Sequence, residues 1–364
     1  MKTVISPTKA QSAPEKSGVL RASFSNSRIR ASLATFANAG DPTLGDPGHG
    51  YVPGQVFFAN DERFTETYFS EPLTNYAVGW RDPNNIEATC NFIAPPVPVG
   101  RRFEWKAAIN AEEFLSEVVD DQRAIGADFK RVVYTAVDQT SKTLNRGLTY
   151  IADLDNVTGT NWQNQKVAKL LRRLYRNRLR RSLTALAASA VSVNYTWDKS
   201  AGCNPDQDVR NELISAANIS GIRPSRVLYG DTAFNNRLAA YGAQNNPAGY
   251  IGYTPDAMGG MAAALLVDAV QVSKERYQTT GTTKSEIVGP NVYAFFAQDG
   301  VDTEDPSNIK CFVSEFDEEQ GGGLVRIYVQ QISSKLVAIT AEMYELIVVT
   351  YAGGIRQLAI TGPQ

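Results

Sequence analysis

Apolar residues recur at helical spacing most clearly between Trp162 and Ala190. Val167, Leu170, Leu171 and Leu174 are followed by Tyr175, Leu179, Leu183 and Leu186, with no Pro or Gly in the stretch. Spacings of three and four predict one amphipathic helix. About 29 residues at 1.5 Å each give a rod of roughly 43 Å, where an average globular helix has about 11–12 residues. A helix of that length braces something large.

The pattern before the helix is irregular. Residues 1–55 are rich in Ser, Ala, Gly and Pro, and DPTLGDPGHGYVPG is turn chemistry throughout. Lys2, Lys9, Lys16, Arg21, Arg28 and Arg30 face a single acid, Glu15, in the first part of this stretch, so an extended arm with a basic first part is expected. It is either a disordered tail or an arm that orders against a neighbouring subunit. Residues 56–105 mix aromatics with turns, and Pro95, Pro96 and Pro98 forbid a helix around them. Short strands and ordered loop are expected there. Asn110 and Glu113 have capping-box spacing ahead of AEEFLSEVVDD, an acidic helix with Phe114, Leu115, Val118 and Val119 on one side. A strand-like VVYT and the stretch GLTYIADLDN follow.

After the long helix the pattern becomes α/β. Asn204 caps and Pro205 opens a helix through DQDVRNELISAANIS to Gly221. SRVLYG reads as a buried strand. Asp231 is expected to cap TAFNNRLAAY, which stops at Gly242, and Thr254-Pro255 to open a helix through MGGMAAALL. Strands are expected at VDAVQVS, IVGPNVYAFFA and IKCFVSEF, with a loop at Gly321–Gly323. The last 40 or so residues are strongly β: LVRIYVQQI, KLVAITAEM, YELIVVTYA and IRQLAIT.

Composition narrows the function classes. The chain has 364 residues, more than one compact core usually needs. Its 36 basic and 38 acidic residues nearly cancel, which argues against a general nucleic-acid binder. Cys90, Cys203 and Cys311 are scattered, so neither a disulfide framework nor a thiolate metal site is expected. No apolar run reaches the roughly 18–20 residues a bilayer requires, and MKTVISPTKAQSAPEKSG lacks the apolar core of a secretory signal. Assembly in the cytoplasm is therefore expected. The single histidine, His49, lies in a Gly/Pro loop, against a Ser-His-Asp or Cys-His mechanism. Gly249, Gly252, Gly259 and Gly260 lack the Lys and strand-turn-helix setting of a phosphate loop. The adjacent acids Glu112/Glu113, Asp120/Asp121 and Glu318/Glu319 read as solvated surface, not an acid-base pair. No catalytic residue, cofactor or metal is expected.

One local charge pattern has substance. Lys166, Lys169, Arg172, Arg173, Arg176, Arg178, Arg180 and Arg181 fall within 16 residues of the long helix, and no Asp or Glu occurs from Asn156 to Trp197. Eight cations on one helix repel one another, so negative charge must come from elsewhere. Phosphate is one source. Acidic protein is the other, such as Glu112, Glu113, Glu117, Asp120 and Asp121 of the same or a neighbouring subunit.

The order of these segments resembles the Hong Kong 97-type major capsid proteins of tailed bacteriophages. APPVPVGRRFEWK (Ala94–Lys106) is similar to the entry to that family's extended loop, and AEEFLSEVVDDQRAIGADFKRVVYT (Ala111–Thr135) to the loop and its return. NRGLTYIADLDN leads to Trp162–Ala190, which resembles the spine helix. NPDQDVRNELISAA with SRVLYGDTAFNNRLA resembles the axial domain, and YELIVVTYAGGI the return through the peripheral domain. The resemblance covers roughly residues 94–364.

It implies an α+β fold with an N-terminal arm, extended loop, long spine helix, peripheral domain and axial domain. The implied divisions are 1–93 arm and irregular β/loop region, 94–145 extended loop, 146–202 peripheral domain with the spine helix, 203–300 axial domain and 301–364 β-rich return. The implied partners are further copies of the chain in hexamers and pentamers, portal and scaffolding or decoration proteins, and packaged double-stranded DNA bound without sequence preference. No membrane partner is implied, and the implied location is the virion. The alternatives are an encapsulin-type compartment, which shares the fold, and an unrelated α/β enzyme or nucleic-acid-binding protein.

Overall fold

The structure is a computed structural model that describes residues 68–108, 122–123, 125, 128, 136–157, 159–200, 202–244, 257–299, 306–315 and 324–362. These belong to one compact unit, residues 60–364. The expected arm 1–55, His49, the acidic helix expected at 110–121, VVYT and Gly321–Gly323 lie outside the described residues.

In chain order the elements are α1 (Glu71–Gly79), α2 (Ile86–Ile93), β1 (Pro96–Pro98), β2 (Arg102–Ala108), β3 (Ala136–Lys142), β4 (Leu144–Asp153) and the spine helix α3 (Trp162–Ser189). Then come β5 (Val191–Thr196), α4 (Pro205–Ser220), β6 (Arg226–Gly230), α5 (Asp231–Ala243), α6 (Ala257–Leu265), β7 (Ala269–Ser273), β8 (Arg276–Thr280) and β9 (Thr283–Glu286). β10 (Asn291–Phe295), β11 (Ile309–Ser314), β12 (Val325–Gln331), β13 (Leu336–Val349) and β14 (Arg356–Thr361) complete the chain.

Two helices correct the expectation of strands and loop over 56–105. Pro72 sits in the first turn of α1, where its missing N–H costs nothing. In α2, Ile86, Thr89, Cys90 and Ile93 recur at helical spacing and are buried. The segment was hard to read because each helix is short and marginal alone. Packing supplies the missing stability: both helices lie against α3, and the backbone N–H of Ser70 donates to the Ile327 carbonyl at 3.1 Å.

The first sheet is organised by β13, one 14-residue strand where the sequence suggested two. β4 pairs with Leu336–Glu345 on one side. On the other side β12 pairs with 337–343 and β11 with 344–349, so those two strands lie in line. β1 adds in parallel beyond β11. The register puts Ile309, Cys311 and Val313 on one face with Ile327, Ile339, Ala341 and Met343, and this face packs on the apolar stripe of α3. The opposite face, at its β11 end, carries Phe312 under Phe103 and Trp105 from the base of the β2–β3 hairpin.

The second sheet runs β5-β14-β10-β6-β7. β5 therefore forms the edge beside β14, and β14 pairs with β10, although in sequence β5 directly follows the spine helix and β14 ends the late β-rich run. One face of this sheet (Val227, Tyr229, Val292, Ala294, Leu358) packs with Val209 and Leu213 of α4 and Leu265 of α6. The other face turns Leu228, Tyr293 and Phe295 into the core shared with the spine helix. The two sheets thus share one continuous core.

Local caps follow the sequence with one correction. Asn204 accepts a side-chain hydrogen bond from the Gln207 N–H, and Gly221 ends α4 at φ 71°. Asp231 does not cap α5: it is the first helical residue, and Gly230 occupies the cap. Gly230 is required by close approach, because a Cβ there would fall on the Gly289 carbonyl oxygen. The β8–β9 hairpin was not foreseen; its strands are short and largely exposed, so no apolar alternation marks them.

Candidate functional site

The buried stripe of the spine helix contains the expected apolar positions and two polar ones, Arg178 and Ser182. Arg178 lies three residues beyond Tyr175 and four beyond Leu174, so helical geometry carries it into the core with them. A buried guanidinium needs a counter-charge. Glu345 provides it from β13, where the register places it on the helix-facing side with Ala341, Met343 and Ile347. Arg178 Nε lies 3.4 Å from Glu345 Oε2, with the two residues 1% and 2% exposed. Arg181 Nη2 donates to Glu345 Oε1, and Arg178 Nη2 donates to Asn91 Oδ1 at 3.2 Å, tying in α2.

Two further arginines, one turn apart, clamp the helix to its neighbours. Arg172 Nε donates to Asp82 Oδ1 at 2.7 Å, in the turn between α1 and α2. Arg176 Nε donates to Glu275 Oε2 at 2.9 Å, just after β7, and Asn84 Nδ2 holds the other Glu275 oxygen at 2.9 Å. Asp82 and Glu275 are both buried. Four of the eight cations therefore have carboxylates in the same chain. None of these three carboxylates belongs to the acidic segment singled out in the sequence; Glu112, Glu113, Glu117, Asp120 and Asp121 lie outside the described residues.

The other four cations have no carboxylate partner among the described residues. Lys169 and Arg173 are exposed. Lys166 sits over the Tyr150 ring at 4.6 Å and donates to its hydroxyl at 3.0 Å, and Arg180 lies over Tyr277 at 4.3 Å. At about 100° per residue, Lys166, Lys169, Arg173 and Arg180 fall within about 60° of arc. They form a stripe roughly 21 Å long at 1.5 Å per residue, of uncompensated charge.

Sequence reasoning missed Asp82, Glu275 and Glu345. Glu345 had a signal: in AITAEMYELIVV it falls on the same alternation as Ala341, Met343 and Ile347. Asp82 and Glu275 had none, since both lie in connecting segments.

The remaining buried polar groups lock the fold. Arg237, fully buried, donates from Nε and Nη2 to the two carboxylate oxygens of Asp206 at 2.7 and 2.8 Å. Tyr195 donates to Glu212 Oε1 at 2.8 Å, and burial with that carboxylate pushes its phenol up to about 12. Burial pushes the Cys90 thiol up to about 12, so it stays neutral at pH 7. All three cysteines are free. No cluster of metal-ligating side chains occurs among the described residues.

No family model matches the sequence, and no curated protein is similar to it. Solved structures are. A phage-related protein from Bordetella bronchiseptica RB50 superposes with a TM-score of 0.58 at 15% identity, over 80% of this chain and 97% of that one. A putative capsid protein of a prophage from Escherichia coli CFT073 gives 0.44 at 10% identity, over 80% and 99% of the two chains. A virus-like particle from Pyrococcus furiosus gives 0.43 at 12%, over 81% and 100%. The likeness to the first of these is one of fold. With a hairpin, a spine helix under one sheet and a second α/β sheet in the expected order, the chain has the fold of the Hong Kong 97-type major capsid proteins of tailed bacteriophages.

Proposed function

We propose that the chain is the major shell subunit of a tailed-phage head, a structural protein and not an enzyme. Copies assemble into hexamers and pentamers, and the rings tile an icosahedral shell around double-stranded DNA. The observation that carries this reading is the fold, which matches a phage-related protein over nearly that protein's whole length. Head-to-tail contacts that close into rings are the ordinary route to such assemblies. Portal and scaffolding or decoration proteins are the further partners this reading implies.

The helix charges fit a division of labour. Arg172, Arg176, Arg178 and Arg181 stiffen the subunit. Lys166, Lys169, Arg173 and Arg180 lack carboxylates among the described residues and form the stripe offered to packaged phosphates, by charge alone and without base reading.

Negative-stain electron microscopy of the recombinant chain after size exclusion tests the reading. Rings or closed particles that co-purify with nucleic acid are the expected result. Particles filled with protein instead make the chain an encapsulin-type compartment. A monomer that stays monomeric at high concentration with crowding agents returns the chain to the class of unrelated α/β enzymes or nucleic-acid-binding proteins.

A further inference from the structure

Beside the spine helix, where β4 begins, Arg146, Arg181, Glu345, Leu346 and Ile347 line a cavity of about 90 Å³. Its position follows from the register. β4 pairs with β13 only as far as Leu144↔Glu345, and no described strand continues along that side past Glu345. The cavity lies at the step where the β4 pairing ends, with the helix as its other wall.

The chemistry of the step is unbalanced. Arg146 and Arg181 line it beside one carboxylate, Glu345, which already receives Arg181 and lies 3.4 Å from Arg178. The two guanidiniums and one carboxylate of its lining leave a local charge of +1. Arg146 Nε is buried and has no hydrogen-bond partner among the described residues. A buried donor without an acceptor costs about 1–3 kcal/mol, and an uncompensated charge in a half-enclosed site adds to that cost.

The geometry points to a phosphate-binding notch, with Arg146 as the capturing residue and Arg181 as the second donor. The cavity has room for a small oxyanion. A nucleic-acid phosphodiester carries about one negative charge and free phosphate between about one and two at pH 7, so either offsets the excess, and phosphate offers more acceptor oxygens than a carboxylate to two separate guanidiniums. Guanidinium forks suit its oxygens. The source is either free phosphate or a nucleic-acid phosphate, and the site is distinct from the exposed stripe of Lys169 and Arg173.

Isothermal titration of the full chain with sodium phosphate at constant ionic strength tests this, with acetate as control anion. One site per chain is expected, and Arg146→Gln is expected to weaken it about tenfold or more, the loss of one charge-assisted hydrogen bond. If Arg146→Gln unfolds, Arg146→Lys carries the test: it keeps the charge but not the planar fork, and an intermediate affinity is expected. Duplex DNA titrated in phosphate-free buffer separates the sources. Weaker duplex binding by Arg146→Gln assigns the phosphate to nucleic acid, and unchanged duplex binding assigns it to the free ion. No phosphate heat with the wild type, unchanged phosphate affinity in both Arg146 variants, or equal binding of acetate overturns the notch. Light scattering on the same samples follows assembly separately, so particles that form without binding phosphate reject the notch alone.

Discussion

The sheet-facing and solvent-facing sides of the spine helix carry the same residue types from the same 16-residue run and put them to opposite uses. On the sheet side, Arg178 and Arg181 converge on one buried carboxylate, Glu345. On the solvent side, Lys169 and Arg173 meet no carboxylate among the described residues. The difference lies in surroundings. A guanidinium in the core must be paired, because desolvation costs several kcal/mol per ion. One in water needs no partner and gains little from having one. A basic run is therefore no uniform feature: its inward members hold the subunit together, and its outward members face solvent, open to another molecule.

The sharpest way to break this contrast is to remove the buried carboxylate. Glu345→Ala strands Arg178 without its counter-charge and is expected to cost about 3–5 kcal/mol, read as a lower urea midpoint. A loss under about 1 kcal/mol would mean that Arg178 finds water or another acceptor. At the edge of the helix–sheet packing, Arg176→Met leaves Glu275 buried with only Asn84. Because Arg176 is 38% exposed, solvent screening limits the expected loss to about 1 kcal/mol. A cost as large as that of Glu345→Ala would erase the distinction between the two sides.

The solvent side is expected to respond in the other observable. Lys169→Ser with Arg173→Ser should change stability by no more than about 0.5 kcal/mol. If the stripe meets duplex phosphates, the slope of log affinity against log salt should become shallower by about 1.8, roughly 0.9 for each phosphate that is no longer neutralised. An unchanged slope would separate the stripe from nucleic acid.

The last expected effect is confined to alkaline pH. The folded Cys90 thiol is raised to about 12, against about 8.5 in an unfolded chain. Between these values the folded state holds the extra proton, so this group's contribution is fully present below about pH 8.5 and is lost as pH rises towards 12. Cys90→Ala should flatten the decline of stability over that window by about one proton. An unchanged slope would assign the decline to the buried tyrosines.

Much of the fold was legible because its signals are local. The spine helix, α4 with its Asn204 cap and Gly221 stop, the buried strand at Arg226–Gly230 and the late β-rich run all follow from spacing and turn chemistry. Helices α1 and α2 were not legible, since two short helices owe their stability to α3 and not to their own propensity. The paired half of the candidate site was legible only as charge. Arg178 sits on the helix's apolar spacing, yet nothing local says which carboxylate meets it 167 residues later along the chain.

The sequence by itself determined where most of the elements begin and end, that the residues of a His- or Cys-centred enzyme are not assembled in any motif, and that eight cations share one helix. Only the tertiary structure decided that β5 and β14 join the second sheet, that β11 and β12 share one side of β13, and that four cations share three carboxylates within the chain while four meet no carboxylate among the described residues. The reason is one of range. Periodicity and capping act over one or two turns of backbone, whereas the partner of a buried charge is set by the register of strands far apart in sequence, where a slip of one residue would turn Glu345 out of the core.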